Sequence, residues 1–429
     1  MKVLMFGWEF PPHISGGLGT ASYGLTRGLA TIPDLDIIFV VPRAYGDEDQ
    51  RKLRLIGAGD VSMDTRHLKF SEQLNNLSYI EVNSSLVPYH TPEEYETLIN
   101  KAENSKKKLI HTTRGGKLVF SGGYGKNLFD EIANYALVAQ QIADDNEHDL
   151  IHAHDWLTYP AGMAAKSVSG KPLVIHVHAT DFDRSGGKVN PAVFEIEKMG
   201  MEAADRIIAV SNLTRNTIIE KYGIDEAKVT TVYNAVEPIP DQEKVAMKRG
   251  IEDKVVTFLG RVTLQKGPEY FVQAAEKVLR KMDNVRFVMA GSGELLERMI
   301  TWTASVGIAD RFHFTGFLKG EDVFRMFSIS DVYVMPSVSE PFGISPLEAM
   351  QSNVPTIISN QSGVAEILKY AIKTDFWDVD AMADAIYGLL NYPSLSEMFR
   401  KYGKEEVDNM KWENSARKVY TLYRDSVLQ

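Results

Sequence analysis

The feature that most narrows the possible folds is an alternation, in both halves of the chain, of short apolar runs with segments of helical spacing. In the first half, Lys2–Phe6, Ile37–Val41, Leu150–Ala153, Leu173–His176, Arg206–Val210 and Val229–Val232 read as strands. Between them Thr20–Ala30, Phe129–Asp144, Tyr159–Ser167, Pro191–Ala204 and Leu213–Tyr222 carry apolar residues at helical period. In the second half, strands at Val255–Leu259, Arg286–Ala290, Phe312–Phe314, Asp331–Met335 and Thr356–Ser359 alternate with helices at Glu269–Lys281, Glu321–Ile329, 378–391, 395–408 and Trp412–Val427. Wholly apolar strands are buried on both faces, and strand–helix–strand repeats close as parallel sheets covered by helices. The expected fold class is α/β: two doubly wound, Rossmann-like domains facing a cleft, with ligands at the carboxyl ends of the strands.

A chain of 429 residues has room for two such domains. Residues 1–238 form the first and 239–411 the second, joined at Pro238-Ile239-Pro240-Asp241, and the segment 412–429 is expected to pack back on the first. From about 44 to 126 the alternation lapses into polar, turn-rich sequence, which reads as an insertion. Within it Lys106-Lys107-Lys108 is a solvated face. Gly122-Gly123-Tyr124-Gly125-Lys126-Asn127 lacks the spacing and the Ser/Thr of a phosphate loop. A net charge of −10 argues against a general nucleic-acid binder. The absence of cysteine excludes disulfides and thiolate metal sites. No apolar run approaches the ~20 residues that span a bilayer. Met1–Phe6 reads as a strand and not as a signal peptide, so the expectation is a cytoplasmic protein with no integral membrane segment.

Candidate functional residues cluster where strands end. Gly16-Gly17-Leu18-Gly19 follows the first strand and permits close backbone approach to a phosphate, or simply a tight turn beneath a helix. Two neighbouring strands end in His-x-His, His152/His154 and His176/His178, with Asp155 next to the first. A strand's period of two lets each pair share a face. Four histidines and Asp155 admit a metal-dependent hydrolase; buried, hydrogen-bonded histidines are the plainer reading of His152 and His176. Arg261 and Lys266 sit in one strand-to-helix loop, where a guanidinium and an ammonium suit a diphosphate. Gly291-Ser292-Gly293-Glu294 is a second close-approach loop. After Asp331–Met335 comes Ser339–Met350, with Ser345 as expected N-cap and Pro346 in the first turn of a helix whose free N–H groups suit an anion. Glu340 and Glu348 flank that turn and suit hydroxyls. A nucleotide sugar offers both chemistries; a capped helix with two exposed glutamates needs no ligand.

Taken together, Gly16-Gly17-Leu18, His152-Ala153-His154-Asp155-Trp156, Val177-His178-Ala179, Gly260-Arg261-Val262 with Gln265-Lys266-Gly267, Ala290-Gly291-Ser292-Gly293, and Glu340-Pro341-Phe342-Gly343 with Glu348 resemble one family. It is the retaining GT-B glycosyltransferases of the glycogen/starch-synthase kind and their bacterial and archaeal relatives. The motifs follow in one consistent order along residues 1–429. The resemblance implies GT-B architecture, a nucleotide-sugar donor held mainly by the second domain and an α-glucan or other oligosaccharide acceptor on the first. It implies that His178, Asp155, Arg261, Lys266 and Glu340 carry the reaction. Donor binding would fall to Gly17, Arg261, Lys266, Gly291, Glu340, Phe342, Gly343, Ile344, Ser345 and Glu348, with Glu340 on the transferred sugar, Glu348 on the ribose and His178 near the reacting carbon. It implies no metal and no cofactor.

The resemblance further implies glucose transfer from ADP- or UDP-glucose to the non-reducing end of an α-1,4-glucan. One departure bears on the donor. Glycogen and starch synthases carry a lysine before Gly-Gly-Leu, and here Ile14-Ser15 precede Gly16. That leaves open another sugar donor with a small, lipid or polysaccharide acceptor. The metal-dependent hydrolase and a catalytically silent sugar- or nucleotide-binding homologue remain as readings from other classes.

Overall fold

A computed structural model describes residues 1–14, 16–51, 53–63, 117–125, 127–239 and 249–428. Most of the 44–126 insertion, Lys106, Lys107 and Lys108 included, lies outside the described residues, as do Ser15, Lys126, Pro240 and Asp241. The chain forms two compact units, Met1–Asn234 with Trp412–Gln429, and Ala235–Lys411.

The first unit holds strands β1 (Lys2–Phe6), β2 (Asp36–Val41), β3 (Arg54–Gly57), β4 (Leu150–His154), β5 (Leu173–Val177), β6 (Arg206–Ala209) and β7 (Val229–Thr231). They build one parallel sheet in the order β3-β2-β1-β4-β5-β6-β7. Helices α1 (Gly17–Leu29), α2 (Leu128–Asp145), α3 (Tyr159–Ser169), α4 (Asp181–Ser185), α5 (Pro191–Ala203) and α6 (Asn212–Tyr222) make connections between strands. The second unit holds β8 (Lys254–Leu259), β9 (Val285–Ala290), β10 (Phe312–Gly316), β11 (Val332–Met335), β12 (Thr356–Ser359) and β13 (Ile372–Thr374). These also pair in parallel, in the order β10-β9-β8-β11-β12-β13. Its helices are α7 (Pro268–Leu279), α8 (Leu296–Ser305), α9 (Glu321–Ile329), α10 (Ser345–Gln351), α11 (Val379–Asn391) and α12 (Pro393–Val407).

The central strands are apolar on both faces because helices cover both. Val3, Leu4, Met5 and Phe6 of β1 are all fully buried, and β9 buries Val285, Phe287, Met289 and Ala290 in a separate core of the second unit. Strand order reverses between β1 and β4 in one sheet and between β8 and β11 in the other. At such a reversal the connecting helices leave to opposite faces, which opens a crevice at the carboxyl ends. The glycine pair and Asp155 follow β1 and β4. Arg261, Lys266 and Glu340 follow β8 and β11. These residues thus lie at the two reversal points, whereas His178 follows β5 and Gly291 follows β9.

Some boundaries differ from expectation for physical reasons. Helix α1 begins at Gly17 and not at Thr20, with Gly16 as its N-cap, so the glycine pair itself forms the helix start. Ser211 caps α6 as expected, accepting from Thr214 N at 3.0 Å. Strand β11 begins one residue after Asp331, whose carboxylate instead accepts from Val255 N at 2.8 Å and pairs with Arg249. The last helix, α13 (Trp412–Val427), lies in the first unit. It packs on α1, where two glycines admit the Trp412 backbone and indole.

That packing yields a test. Alanine for glycine inside a helix ordinarily gains ~0.5–1 kcal/mol. At Gly28, however, a Cβ would stand 2.7 Å from Trp412 O and 2.9 Å from Trp412 C, backbone atoms that cannot swing aside. Overpacking should win, and Gly28→Ala is expected to lose about 1–2 kcal/mol of stability in urea unfolding. A raised midpoint would contradict the docking of α13 on α1.

Candidate functional site

In the second unit, the carboxyl-end loops are knitted together by their backbones. Val262 N donates to Ser292 O at 2.9 Å, Leu295 N to Val262 O at 3.0 Å and Val338 N to Gln265 O at 2.9 Å. Glu340 N donates to Gln361 O at 2.9 Å, and Gly363 N returns a bond of 2.9 Å to Glu340 O. This mesh explains one glycine that sequence reasoning gave to the donor. A Cβ on Gly291, whose φ is +148°, would fall 1.8 Å from Gly260 O. The glycine is demanded by the approach of two protein loops, whatever a ligand requires.

On this platform Lys266 Nζ donates to Glu340 Oε2, and Ser337 Oγ donates to the same oxygen at 3.2 Å. The pair is largely withdrawn from water, with side chains 21% and 9% exposed. Arg261 lies half-buried in the loop that carries Lys266, and its Nη2 reaches Gln265 Oε1 at 3.3 Å. A lysine–carboxylate pair, and an arginine in the same loop as the lysine, therefore stand at the reversal point.

The helix behind them corrects two expectations. Ser345 is not the N-cap. Ile344 holds that position, and the Ser345 hydroxyl bonds to Tyr333 OH at 2.8 Å. Helix α10 is only seven residues long, so its dipole contributes little and the side-chain cations supply the positive field. Phe342 is 2% exposed, and its carbonyl accepts from Val364 N at 2.8 Å. Gly343 takes the left-handed φ of +102°. Ile344 and Glu348 are half-buried, and desolvation raises the Glu348 carboxyl from its ordinary 4.5 to about 7.

In the first unit, Gly16 and Gly17 are exposed, and a Cβ added at either would meet nothing within 4 Å. This glycine pair, unlike Gly291, is not explained by protein packing. Below it the four histidines form a ladder. His154 stands beside His176 in register. Ring centroids lie 4.1 Å apart for His152 and His154, 5.3 Å for His154 and His176, and 4.3 Å for His176 and His178. His154 Nδ1 meets His178 Nε2 at 3.0 Å, and His152 Nδ1 meets Tyr423 OH of α13 at 2.5 Å. Burial holds His152 and His178 down to about 3, and keeps His154 and His176 well below the ordinary 6.5. The ladder is neutral. The His178 ring is turned inward onto His154, a contact that sequence reasoning did not anticipate.

Asp155 sits at φ +64°, a strained position for a residue with a side chain. Both its oxygens accept from Arg184 Nη2 at 3.1 Å. Burial raises its carboxyl, and the Arg184 charge and hydrogen bonds oppose that rise. The side chain expected near the acceptor is thus committed to an arginine. Arg184 follows the Val177-His178-Ala179 motif by five residues and was given no role from sequence; its partner Glu197 lies in an unremarkable amphipathic helix and gave no signal.

His152, His154 and His176 each bring a ring nitrogen within 4.8 Å of the others. A hydrolytic metal keeps an open position for water and substrate. These residues are 0%, 0% and 2% exposed, and among the described residues no carboxylate joins them, so they do not fit a hydrolase centre. His13, Asp47 and Glu48 also approach one another. There, however, the Glu48 carboxylate accepts from Tyr45 N and Gly46 N, and His13 is taken by Asp47.

Two parallel-sheet Rossmann-like units with charged loops at their strand reversals define a class of nucleotide- and sugar-handling α/β proteins. Residues 241–406 match the family model "Glycosyl transferases group 1", and residues 86–238 match "Glycosyltransferase Family 4". An uncharacterized glycosyltransferase of Methanocaldococcus jannaschii is 27% identical over 99% of this chain and 98% of its own length. A glycogen synthase of Mycobacterium tuberculosis is 22% identical over 99% and 94%. The structure of a sucrose-phosphate synthase from Thermosynechococcus elongatus superposes with a TM-score of 0.71 at 16% identity, covering 99% of this chain and 98% of that one. The chain belongs to the group 1 glycosyltransferases of the GT-B fold, a family that resembles the glycogen synthases. No helix among the described residues is long and apolar enough to cross a membrane.

The Glu348 environment gives a pH test. Its folded value lies above the unfolded one, so the wild type is favoured below pH 4.5 and loses that contribution as pH rises toward about 7. Glu348→Gln does not titrate. Its Tm relative to wild type should climb between those two values and level off above, by a few degrees in all. A difference independent of pH would contradict a desolvated Glu348.

Proposed function

We propose that the chain is a retaining glucosyltransferase that moves glucose from ADP- or UDP-glucose to the non-reducing end of an α-1,4-glucan. The observation that carries this reading is the meeting of Lys266, Arg261 and Glu340 at the reversal point of the second sheet. Fixed cations beside a carboxylate match a ligand that presents a diphosphate and hydroxyls together. The glycogen synthase relative, similar along nearly the whole chain, supports the α-glucan acceptor.

In this reading Arg261 and Lys266 hold the diphosphate and stabilise the charge that develops as the bond from anomeric carbon to phosphate oxygen breaks. Backbone N–H groups at Gly343 to Ser345 add to that field. Glu340 accepts from hydroxyls of the glucose, so the donor exchanges the internal Lys266–Glu340 contact for one with each end of itself. Glu348 accepts from the ribose. The acceptor hydroxyl attacks from the face the phosphate leaves, its oxygen bonds to the anomeric carbon, and its proton passes to a departing phosphate oxygen. No covalent glycosyl-enzyme forms, and no metal or cofactor enters, because side-chain cations carry the compensating charge.

Wild-type protein incubated with a panel of nucleotide sugars, with and without glycogen or maltooligosaccharides, should release nucleoside diphosphate fastest with a glucose donor plus glucan. Glu340→Ala and Lys266→Ala should each lower turnover by roughly 10²–10³-fold with unchanged circular dichroism. Near-wild-type turnover in either variant would remove that residue from the mechanism. Release with a different sugar, or with a small-molecule acceptor only, would replace the glucan assignment by the broader glycosyltransferase one.

A further inference from the structure

The first unit contains a charge network that the proposed reaction does not use. Arg184 is 4% exposed at its side chain, and its partners Asp155 and Glu197 are 8% and 1% exposed. The guanidinium donates in three directions. Nη2 reaches both oxygens of Asp155 at 3.1 Å and the Ala179 carbonyl at 3.1 Å, while Nη1 reaches Glu197 Oε1 at 2.9 Å. The guanidinium carbon lies over the Trp156 ring, 6.0 Å from its centroid. An arginine so enclosed is not placed to grip a phosphate. It ties together the end of β4, the Ala179–Thr180 peptide and helix α5.

The segment that follows His178 is pinned at each successive residue. Ala179 is held through its carbonyl by Arg184. Thr180 N and Oγ1 both donate to Asp183 Oδ2 at 2.8 Å. Asp181 N donates to Glu197 Oε2 at 3.1 Å, and the Tyr222 hydroxyl donates to the same oxygen. On the other side Asp155 N donates to His176 O at 2.9 Å, which locks the end of β4 to β5. Asp155 keeps its strained backbone only because these contacts over-determine it.

We propose that Arg184 is a positioning residue for His178: its planar fork fixes the Ala179–Thr180 peptide, one residue beyond the histidine, against Asp155, so that the histidine is set before the sugar arrives. The inference rests on the reading that places His178 at the transferred sugar. A lysine at this position would keep the charge but could not make these divergent bonds from one planar group. Asp155 then acts through Arg184 and does not itself touch the acceptor.

The test compares wild type with Arg184→Lys and Arg184→Ala. Misplacement of a reacting group by about 1 Å costs on the order of 100-fold. Arg184→Lys is therefore expected to lower kcat by roughly that factor while donor KM changes less than about threefold. Added ethylguanidinium should recover part of the activity of Arg184→Ala, whereas ethylammonium should not. Histidine-labelled NMR should show displaced His178 and His154 ring resonances in Arg184→Lys, in protein whose other histidine signals stay in place. Unchanged kcat with unchanged His178 resonances would overturn the proposal, as would a loss of activity matched by an equal loss of folded protein. If wild type releases no diphosphate from any donor, the functional reading fails by itself. The resonances then still decide whether Arg184 positions this loop.

Discussion

A parallel strand pair cannot be closed by a tight turn, and each connection must cross back over the sheet, usually as a helix. In this chain that requirement fixes nearly everything else. All strand pairs are parallel in both sheets, so in each unit every strand delivers its following loop to one edge. The strands themselves can be almost wholly apolar, as Val3–Phe6 shows, because chemistry is relegated to that edge. Where strand order reverses, loops such as Gly260–Gly267 and Ser337–Ile344 converge. Those are the loops that carry Arg261, Lys266 and Glu340.

The edge poses an electrostatic problem that the two units solve differently. In the second, the charges are only partly sealed: the Lys266 and Glu340 side chains are 21% and 9% exposed, and half-buried Arg261 also reaches a neutral glutamine. In the first, charge is sealed. Arg184 faces two carboxylates, and burial pushes Glu197 up to about 8 despite the opposing arginine and Tyr222 hydrogen bond. Both Glu197 oxygens accept, Oε1 from Arg184 and Oε2 from Asp181 N and the Tyr222 hydroxyl, so donors surround the buried carboxyl. The histidine ladder completes the pattern. Desolvation keeps all four rings neutral, so His178 can offer a hydrogen bond or shape but not a standing charge.

Much of the architecture was legible because period and burial leave a direct trace: alternating apolar runs and helical segments gave eleven of the thirteen described strands and missed β3 and β13, which lie at sheet edges. Cations and carboxylates at strand ends were legible for the same reason, since a loop's position relative to a strand is a local property. What escaped was set by contacts distant in sequence. Ser345 looks like an N-cap, but a hydroxyl twelve residues earlier, on Tyr333, takes it. Gly291 looks like a ligand glycine, but its missing Cβ makes room for Gly260. Glu197 and Tyr222 carry no local signature of the network they close around Arg184, and nothing near His178 announces that its ring turns onto His154. Pairing partners are tertiary facts. One sequence read alone offers the residues but not who meets whom.

The central claim is that the carboxyl edge of the second sheet is a nucleoside-diphosphate site whose charge comes from side chains. Isothermal titration of the intact chain with ADP, UDP and GDP tests it most directly. The account predicts one saturable site per chain for at least one of the three, weakened by about tenfold or more, ~1.4 kcal/mol, in Arg261→Ala. Absence of binding for all three, or undiminished affinity in that variant, would contradict it.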